Sequence, residues 1–291
     1  MFEGMARLGS ADPRQLGPYR LHGVLGNGAL GTVYLGRGSP RRGGRKRAAA
    51  VRAMRPELLR DRTLRARLRH VTQTVANEVD SPYVAGALDC ELDSEHPWLA
   101  AEFVPGPALA TLVARYGPLD EDGVRALGGA LCRALAALHA ARIPHRDLRA
   151  ANVLLTAGTP RVVDYGLGPG RTDLGADDET AADPAADVFE LGALLCYAAS
   201  AHLPFTGSLL PAAREDPDLT GVPDGLHPAL LACLHKTPES RPSPGQLARA
   251  LDLADLAEQP AADWLPESYV HEIDMSRKDA RQLLGRHLFG R

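Results

Sequence analysis

The sequence of 291 residues has few cysteines, few lysines and no long apolar run. Its four cysteines, Cys90, Cys132, Cys196 and Cys233, stand alone, without a C-x-x-C pair or the spacing of a zinc site. No apolar run reaches the ~18–20 residues that a membrane span needs. The N-terminus carries Glu3 and Asp12 and lacks the apolar core of a secretory signal. We therefore predict a reduced, cytoplasmic protein without a transmembrane segment.

The chain also lacks an excess of charge of either sign, since its formal net charge is −3 with 24% charged residues. This balance excludes a uniformly basic nucleic-acid binder, and we expect no specific nucleic-acid partner. The 29 glycines and 23 prolines are too few for a low-complexity or collagen-like chain. At 45% hydrophobic residues, a chain of this length can bury a sizeable core.

Hydrophobic periodicity divides the chain into two parts. Strand-like alternation dominates from Tyr19 to Val104, with one helical stretch between residues 57 and 80. Helical spacing dominates afterwards, as in the series Leu127, Leu131, Leu135 and Leu138. This order predicts an α+β fold of two lobes, with the cleft between them as the expected ligand site. The predicted divisions are a flexible arm (1–18), a β-rich lobe (19–104), a helical lobe (105–257) and a tail (258–291).

The first motif is Gly26-Asn27-Gly28-Ala29-Leu30-Gly31-Thr32-Val33, which matches G-x-G-x-x-G-x-V. Glycines allow backbone N–H groups to approach and bind phosphate oxygens. A dinucleotide loop would need a helix directly afterwards and an acidic residue about 20 positions on. Here Val33-Tyr34-Leu35 predicts a strand and the next segment is basic, so a loop between two strands is favoured.

Two further motifs combine groups for phosphoryl transfer. His145-Arg146-Asp147-Leu148-Arg149-Ala150-Ala151-Asn152 pairs a potential base, Asp147, with a metal-ligand amide, Asn152. Twelve residues later, Asp164-Tyr165-Gly166 supplies a carboxylate that can hold Mg²⁺ against nucleotide phosphates.

With these three motifs in this order, the chain from about Tyr19 to Leu256 resembles the catalytic domain of actinobacterial-type Ser/Thr protein kinases. The resemblance implies the bilobal protein-kinase fold and a site for ATP with Mg²⁺. It implies nucleotide-binding roles for Gly26, Asn27, Gly28, Gly31, Val33, Ala50, Arg52, Glu102 and Val104. It implies catalytic positions at Asp147, Arg149 and Arg52, metal ligands at Asn152 and Asp164, and scaffold roles for Asp187 and Arg241.

The first departure from that family concerns its ATP-positioning lysine and the glutamate that pairs with it. Arg52 occupies the lysine position, and its longer, forked guanidinium differs from a compact ammonium. Lys46 is the alternative cation, six residues earlier. The paired acid should fall near Val71 or Thr72, where there is none, and Glu78 is more than one helical turn away.

The second departure is a short segment between Gly166 and Asp187, which contains no A-P-E. The family uses a longer segment as a platform for peptide substrates. Arg241 consequently lacks its usual glutamate, and we expect another carboxylate, such as Asp183, or water beside it.

Together these departures predict a pseudokinase: a nucleotide-binding regulator or scaffold, with a possible protein partner, in which phosphotransfer is weak or lost. The alternatives are an active ATP-dependent Ser/Thr kinase, a small-molecule phosphotransferase in the same cleft, and a pure interaction module.

Charge is unevenly distributed along the chain. Residues 37–69, the basic band, hold thirteen Arg or Lys against Glu57 and Asp61. This pattern is typical of a solvated face, or of a surface for an acidic protein, a membrane or nucleic acid. Residues 172–191 hold seven acids, among them Asp177, Asp178 and Glu179, and no base, and could fold against the basic lobe.

The tail contains an amphipathic run through Ile273 and Leu288, expected to pack on the helical lobe, to be partly disordered or to bind a partner.

Overall fold

The computed structural model describes residues 5–40, 44–168, 184–205, 215–251, 260 and 263–285. The chain forms two compact units. One, the β-unit, comprises Met1–Asp80, Ala85–Pro107 and Glu272–Arg291. The other, the helical unit, comprises Ser81–Val84 and Ala108–His271. The predicted α+β fold is confirmed, with strands concentrated in the β-unit and helices in the helical unit.

The β-unit is built on an antiparallel seven-stranded sheet of order β1-β3-β4-β5-β7-β6, in which β2 also pairs with β3. The strands are β1 Ala6–Arg7, β2 Gln15–Leu16, β3 Tyr19–Gly28, β4 Gly31–Gly38, β5 Arg47–Met54, β6 Ala87–Glu91 and β7 Trp98–Glu102. Alternate residues point into one core, where Tyr19, Leu21, Val51 and Trp98 are buried.

Two short strands within residues 5–18 pair with this sheet, so the expectation of a flexible arm over residues 1–18 is wrong for this stretch. β1 pairs with β3 through Ala6↔Val24, and β2 pairs with β3 through Leu16↔Tyr19. Leu16 is buried in the sheet core, and the Tyr34 hydroxyl donates to Asp12 at 2.9 Å. Burial of Leu16 and these ladder bonds supply the energy that fixes the segment.

The helix of the β-unit, α1, spans Arg62–Glu78 rather than the predicted 57–80. It begins late because the carboxylate of Asp61 accepts from the backbone N–H groups of Thr63 and Leu64 and caps the helix. A separate 3-10 turn, Leu58–Arg60, precedes it. Leu68, Val71 and Val75 form its buried face.

The helical unit has its core around one long helix, α3. Its helices are α2 Leu109–Tyr116, α3 Glu121–Ala140, α4 Pro184–Ser200, α5 His227–Cys233 and α6 Pro244–Ala250, and α7 Glu267–Leu284 begins in it. A two-stranded sheet, β8 Val153–Leu154 with β9 Arg161–Val162, carries the polar motifs. Val84 forms a parallel bridge to Val162.

The tail forms α7, and its two ends belong to different units. Tyr269 is buried in the helical unit and donates from its hydroxyl to the Gly117 carbonyl at 2.7 Å. Residues from Glu272 onward group with the β-unit, where Leu283 lies against Gly23. Packing on the helical lobe is thus correct only for the start of this helix. Leu288 lies outside the described residues.

The four cysteines are free, and Cys132, Cys196 and Cys233 are buried. Desolvation raises the pKa of each of these three thiols to about 12, consistent with inert apolar packing. Within the described ranges, no helix combines the length and the apolar character required to cross a membrane.

Candidate active site

The glycine loop, Gly26–Gly31, forms the tip between β3 and β4. The register pairs Gly26 with Val33, Asn27 with Thr32 and Gly28 with Gly31, which leaves a two-residue turn. Gly31 has φ +140°, and a Cβ built there would lie 1.8 Å from the carbonyl oxygen of Ala53. Only glycine permits this close passage of β4 across the end of β5.

Arg52 lies on β5 beneath this loop. It pairs in register with Val33 of β4 and Leu99 of β7, and it is only 8% exposed. Its Nη1 lies 4.0 Å from the position that a Cβ on Gly28 would occupy. Ala50, the other nucleotide-binding candidate on this strand, lies two residues earlier and pairs with Leu35.

Arg55 also holds the glycine loop, a role that the sequence analysis missed. Its guanidinium donates to the Gly28 carbonyl at 3.2 Å, and its backbone N–H donates to the Leu30 carbonyl at 3.0 Å. The available signal was position, because Arg55 directly follows the end of β5.

Lys46 lies at the other end of β5. The β4–β5 register sets Gly31 opposite Met54 and Gly38 opposite Arg47, so Lys46 precedes the strand at the end remote from the glycine loop. Six residues of extended chain, about 20 Å, separate it from Arg52. Lys46 is exposed and is not a replacement for the missing lysine near Gly28.

Helix α1 has no carboxylate on its buried face. Val71 is buried, and the Thr72 hydroxyl donates to the Leu68 carbonyl within the helix at 2.8 Å. Glu78, the one acid in this helix, is its exposed last residue.

Glu102 and Val104 lie where β7 ends. The backbone N–H of Glu102 donates to the Gly86 carbonyl at 2.8 Å, while its carboxylate accepts from the Gly86 N–H at 3.3 Å. Val104 is buried. The backbone of this segment is thereby fixed by β6 and β7.

In the helical unit, Asp147 and Asn152 form one hydrogen-bonded pair. The Asn152 amide nitrogen donates to the Asp147 carbonyl at 2.8 Å and to its Oδ2 at 3.0 Å. The amide oxygen of Asn152 is thereby turned away from Asp147 and is the atom suited to a cation. Arg149 is exposed at the start of the 3-10 turn Ala150–Asn152.

Asp187, at the start of α4, fixes the backbone that carries Asp147. It is 1% exposed and accepts from the backbone N–H groups of His145 and Arg146 at 2.8 and 2.9 Å. His139 Nε2 lies 2.7 Å from the same carboxylate, so His139 contributes a polar contact rather than packing alone. Arg146 has φ +70°, a conformation that these bonds hold in place.

A second carboxylate, that of Glu190, and the buried His145 also hold the backbone around Asp147. Glu190, one turn after Asp187, accepts from the backbone N–H of Leu148 at 2.7 Å. His145 is fully buried, and desolvation lowers its pKa against the opposing effect of the nearby aspartates. Its complete burial indicates a structural role for His145. The contact of Glu190 was not foreseen.

Asp164 follows β9 and has φ +61°. The Val163 N–H donates to the Asn152 carbonyl at 2.9 Å, and the Gly166 N–H donates to the His145 carbonyl at 2.8 Å. These bonds tie the Asp164 turn to the Asn152 turn. A carboxylate and an amide oxygen are the hard oxygen ligands that Mg²⁺ prefers, so this donor set fits the ion when phosphate and water oxygens complete its shell.

Arg241 is buried and donates to three backbone carbonyls, those of His235, Ala185 and Lys236, at 2.9, 2.9 and 3.3 Å. Its guanidinium also lies 4.9 Å from the centre of the Phe189 ring. Asp183, its predicted carboxylate partner, lies outside the described residues, as do Asp177, Asp178 and Glu179.

The basic band is not one uniform surface. Arg52 is buried, and Arg65 and Arg69 pair with Asp93 at 3.3 and 2.6 Å. Its exposed members in the described part are Arg45, Lys46, Arg47, Arg55, Arg60 and Arg62.

Comparisons with known proteins find similarity to protein kinases. The model of the protein kinase domain matches residues 19–173. Serine/threonine-protein kinase AfsK of Streptomyces coelicolor is 33% identical over 230 residues, which cover 69% of this chain and 29% of the relative. The probable serine/threonine-protein kinase PkwA of Thermomonospora curvata is 32% identical over 213 residues, covering 66% and 28%. This chain thus spans less than a third of either relative.

Among solved structures, Rad53 residues 1–466, in complex with AMP-PNP, has the same fold. The TM-score is 0.64 at 19% identity, with 81% of this chain and 66% of that chain covered.

Proposed function

We propose that this chain, which belongs to the bacterial Ser/Thr branch of the protein kinase family, binds ATP with Mg²⁺ and transfers phosphate weakly or not at all. On this proposal it acts as a nucleotide-dependent regulator or scaffold. The observation that carries the proposal is a buried Arg52 on β5, where the resemblance to the family implies a lysine, combined with an α1 whose buried face has no acid.

Nucleotide binding is supported by the groups that remain. The glycine loop offers backbone N–H groups for phosphate oxygens. Asn152 and Asp164 would hold Mg²⁺, which neutralises the phosphate charge when it is bound. Asp147 would orient an attacking hydroxyl, and its hydrogen bonds from Asn152 keep it positioned.

Weak transfer follows from the chemistry of Arg52. A guanidinium is planar and spreads its charge over a fork, whereas the family's lysine places a compact charge on the phosphates. Loss of one preorganised charged contact costs about 3–4 kcal/mol in the transition state, or about 10²–10³ in rate. Because the buried face of α1 has no acid and Glu78 is its exposed last residue, no carboxylate of that face orients the cation.

An active Ser/Thr kinase is the second candidate function. The intact contact between Asn152 and Asp147 favours it, as do the named relatives, which are Ser/Thr kinases.

Two measurements on the full chain separate these functions. Calorimetric titration with ATP, with and without Mg²⁺, should show binding that Mg²⁺ strengthens and that Asp164→Asn weakens. A label-transfer assay from γ-labelled ATP should give equal, near-background signals for wild type and Asp147→Asn. Strong labelling that Asp147→Asn abolishes would establish the active kinase, and absence of any ATP binding would leave only an interaction module.

We also propose that the exposed members Arg45, Lys46 and Arg47 contact an acidic protein surface. Their position at the start of β5, remote from the glycine loop, supports a role outside nucleotide binding.

A further inference from the structure

The β-unit contains a cavity of about 430 Å³, the arginine pocket, that none of the proposed roles uses. It is lined by Arg7, Arg14, Arg20 and His22, with Leu8, Leu21 and Leu283. Its volume lies in the range of small-ligand sites, roughly 300–1,000 Å³. Arg20 is eight residues before Gly28 on β3, so about 25 Å of strand separates this pocket from the glycine loop.

The pocket is a product of how β1, β2 and β3 pair. Arg20 and His22 lie on either side of Leu21 on β3, where the register shifts between Leu21 and Gly23, while Arg7 pairs with Gly23. A Cβ on Gly23 would lie 2.8 Å from the Ala6 carbonyl and 3.2 Å from Leu283. Glycine at this position therefore allows β1 and the end of α7 to close around the pocket.

The positive charge of this pocket is not neutralised within the described ranges. Arg20 faces Arg37 across the β3–β4 ladder, an arrangement in which like charges repel. No ion pair of the described part of the chain includes Arg7, Arg14, Arg20 or Arg37. Asp12 is the one acid between residues 5 and 23. It accepts from the Gly9 N–H and from the Tyr34 hydroxyl and does not line the cavity.

Arg37 and His22 both lie close to Arg20. The Nε of Arg37 is buried and has no hydrogen-bond partner in the part of the chain that the structure describes. Desolvation lowers the pKa of His22, and the charges of Arg20 and Arg37 lower it further, against its hydrogen bond to the Leu283 carbonyl. An anion beside Arg20 would offset the effect of that charge on His22.

The residues that line the arginine pocket indicate which class of anion it binds. Three guanidinium groups match a phosphomonoester, which has close to two negative charges and three acceptor oxygens. The leucines offer contact to a short aliphatic linker, and no Phe, Tyr or Trp among the described residues lines the cavity as a platform for a nucleotide base. The pocket adjoins β1, the terminal strand of the described sheet, and pairing with a terminal strand is a recurring way in which proteins bind extended peptides.

We propose that the arginine pocket binds the phosphorylated side chain of a phosphothreonine- or phosphoserine-containing peptide. The site is independent of ATP binding and of phosphotransfer, so it stands whether or not the proposed function is correct.

The test is a titration of the full chain with a short peptide, Gly-Ala-phosphothreonine-Ala-Gly, followed by calorimetry or by a fluorescent label on the peptide. Arg20→Gln and Arg7→Gln each remove a charged hydrogen-bond donor. Because hydrogen bonds to charged groups are strong, each change should weaken binding of the phosphopeptide about 10- to 100-fold. Arg62→Gln is the matched control, because Arg62 is exposed at the start of α1, outside the pocket. The melting temperatures of all variants establish that they are folded.

The proposal predicts binding of the phosphopeptide, weaker binding of inorganic phosphate, and none of the unphosphorylated peptide. Saturation with Mg·ATP should leave the phosphopeptide affinity unchanged. The proposal is wrong if the phosphopeptide does not bind, if its affinity equals that of inorganic phosphate, if Mg·ATP displaces it, or if Arg62→Gln weakens it as much as Arg20→Gln.

Discussion

Asp187→Asn provides a quantitative test of how the backbone around Asp147 is held. The carboxylate uses Oδ1 for the Arg146 N–H and Oδ2 for both the His145 N–H and His139. An amide has a single acceptor oxygen, so one of these backbone N–H groups must face an NH₂ group. A buried donor left unsatisfied costs about 1–3 kcal/mol, and the remaining bonds lose their charge assistance. We expect a loss of about 2–4 kcal/mol in the free energy of unfolding.

Urea denaturation of the full chain measures this loss as a lower midpoint with an unchanged m-value. Asp93→Asn is the matched control, since Asp93 accepts from Arg65 and Arg69 at the surface and is 60% exposed. That change should cost less than about 1 kcal/mol. If Asp187→Asn lost no more than Asp93→Asn, the buried carboxylate would not be holding the His145–Arg146 backbone.

Three further outcomes are expected. Gly31→Ala should destabilise the protein by about 3 kcal/mol or more and weaken ATP binding, because its Cβ would overlap the Ala53 carbonyl; unchanged melting and ATP affinity would contradict this. Arg241→Leu removes donors from three carbonyls and should cost about 2–4 kcal/mol, as measured by urea midpoints. The control Arg277→Leu, at a side chain that is 40% exposed, should cost less than about 1 kcal/mol. His22 has a lowered pKa, so the unfolded chain binds more protons and stability falls as the pH drops below about 6.5; His22→Gln should reduce the difference between urea midpoints at about pH 7.5 and about pH 5.5, and an equal difference would refute the assignment.

Much of the fold could be predicted because its elements carry strong local patterns. The glycines of residues 26–31 between two alternating stretches predicted the β3–β4 hairpin, and the series beginning at Leu127 predicted α3. β1 and β2 could not be predicted, since a two-residue strand has no periodicity and depends on burial of Leu16 by the rest of the sheet. The position of Leu283 against Gly23 is equally a matter of tertiary packing.

The candidate site shows the same division between local motif and long-range contact. The motifs predicted Asp147, Asn152 and Asp164 as the groups for phosphoryl transfer, because that chemistry needs such groups at fixed spacing. They did not reveal that Glu190 accepts from the Leu148 N–H, because 42 residues separate the two. The arginine pocket was likewise hidden, since its basic residues are spread between Arg7 and His22 and meet only when β1 pairs with β3.

Introduction of the lysine–glutamate pair typical of the family tests the account most directly. Arg52→Lys combined with Val71→Glu would place an ammonium on β5 and a carboxylate on the buried face of α1. The account predicts that label transfer from γ-labelled ATP rises well above wild type in this double variant and disappears when Asp147→Asn is added. A wild-type rate that already depends on Asp147 and equals that of the double variant would contradict it.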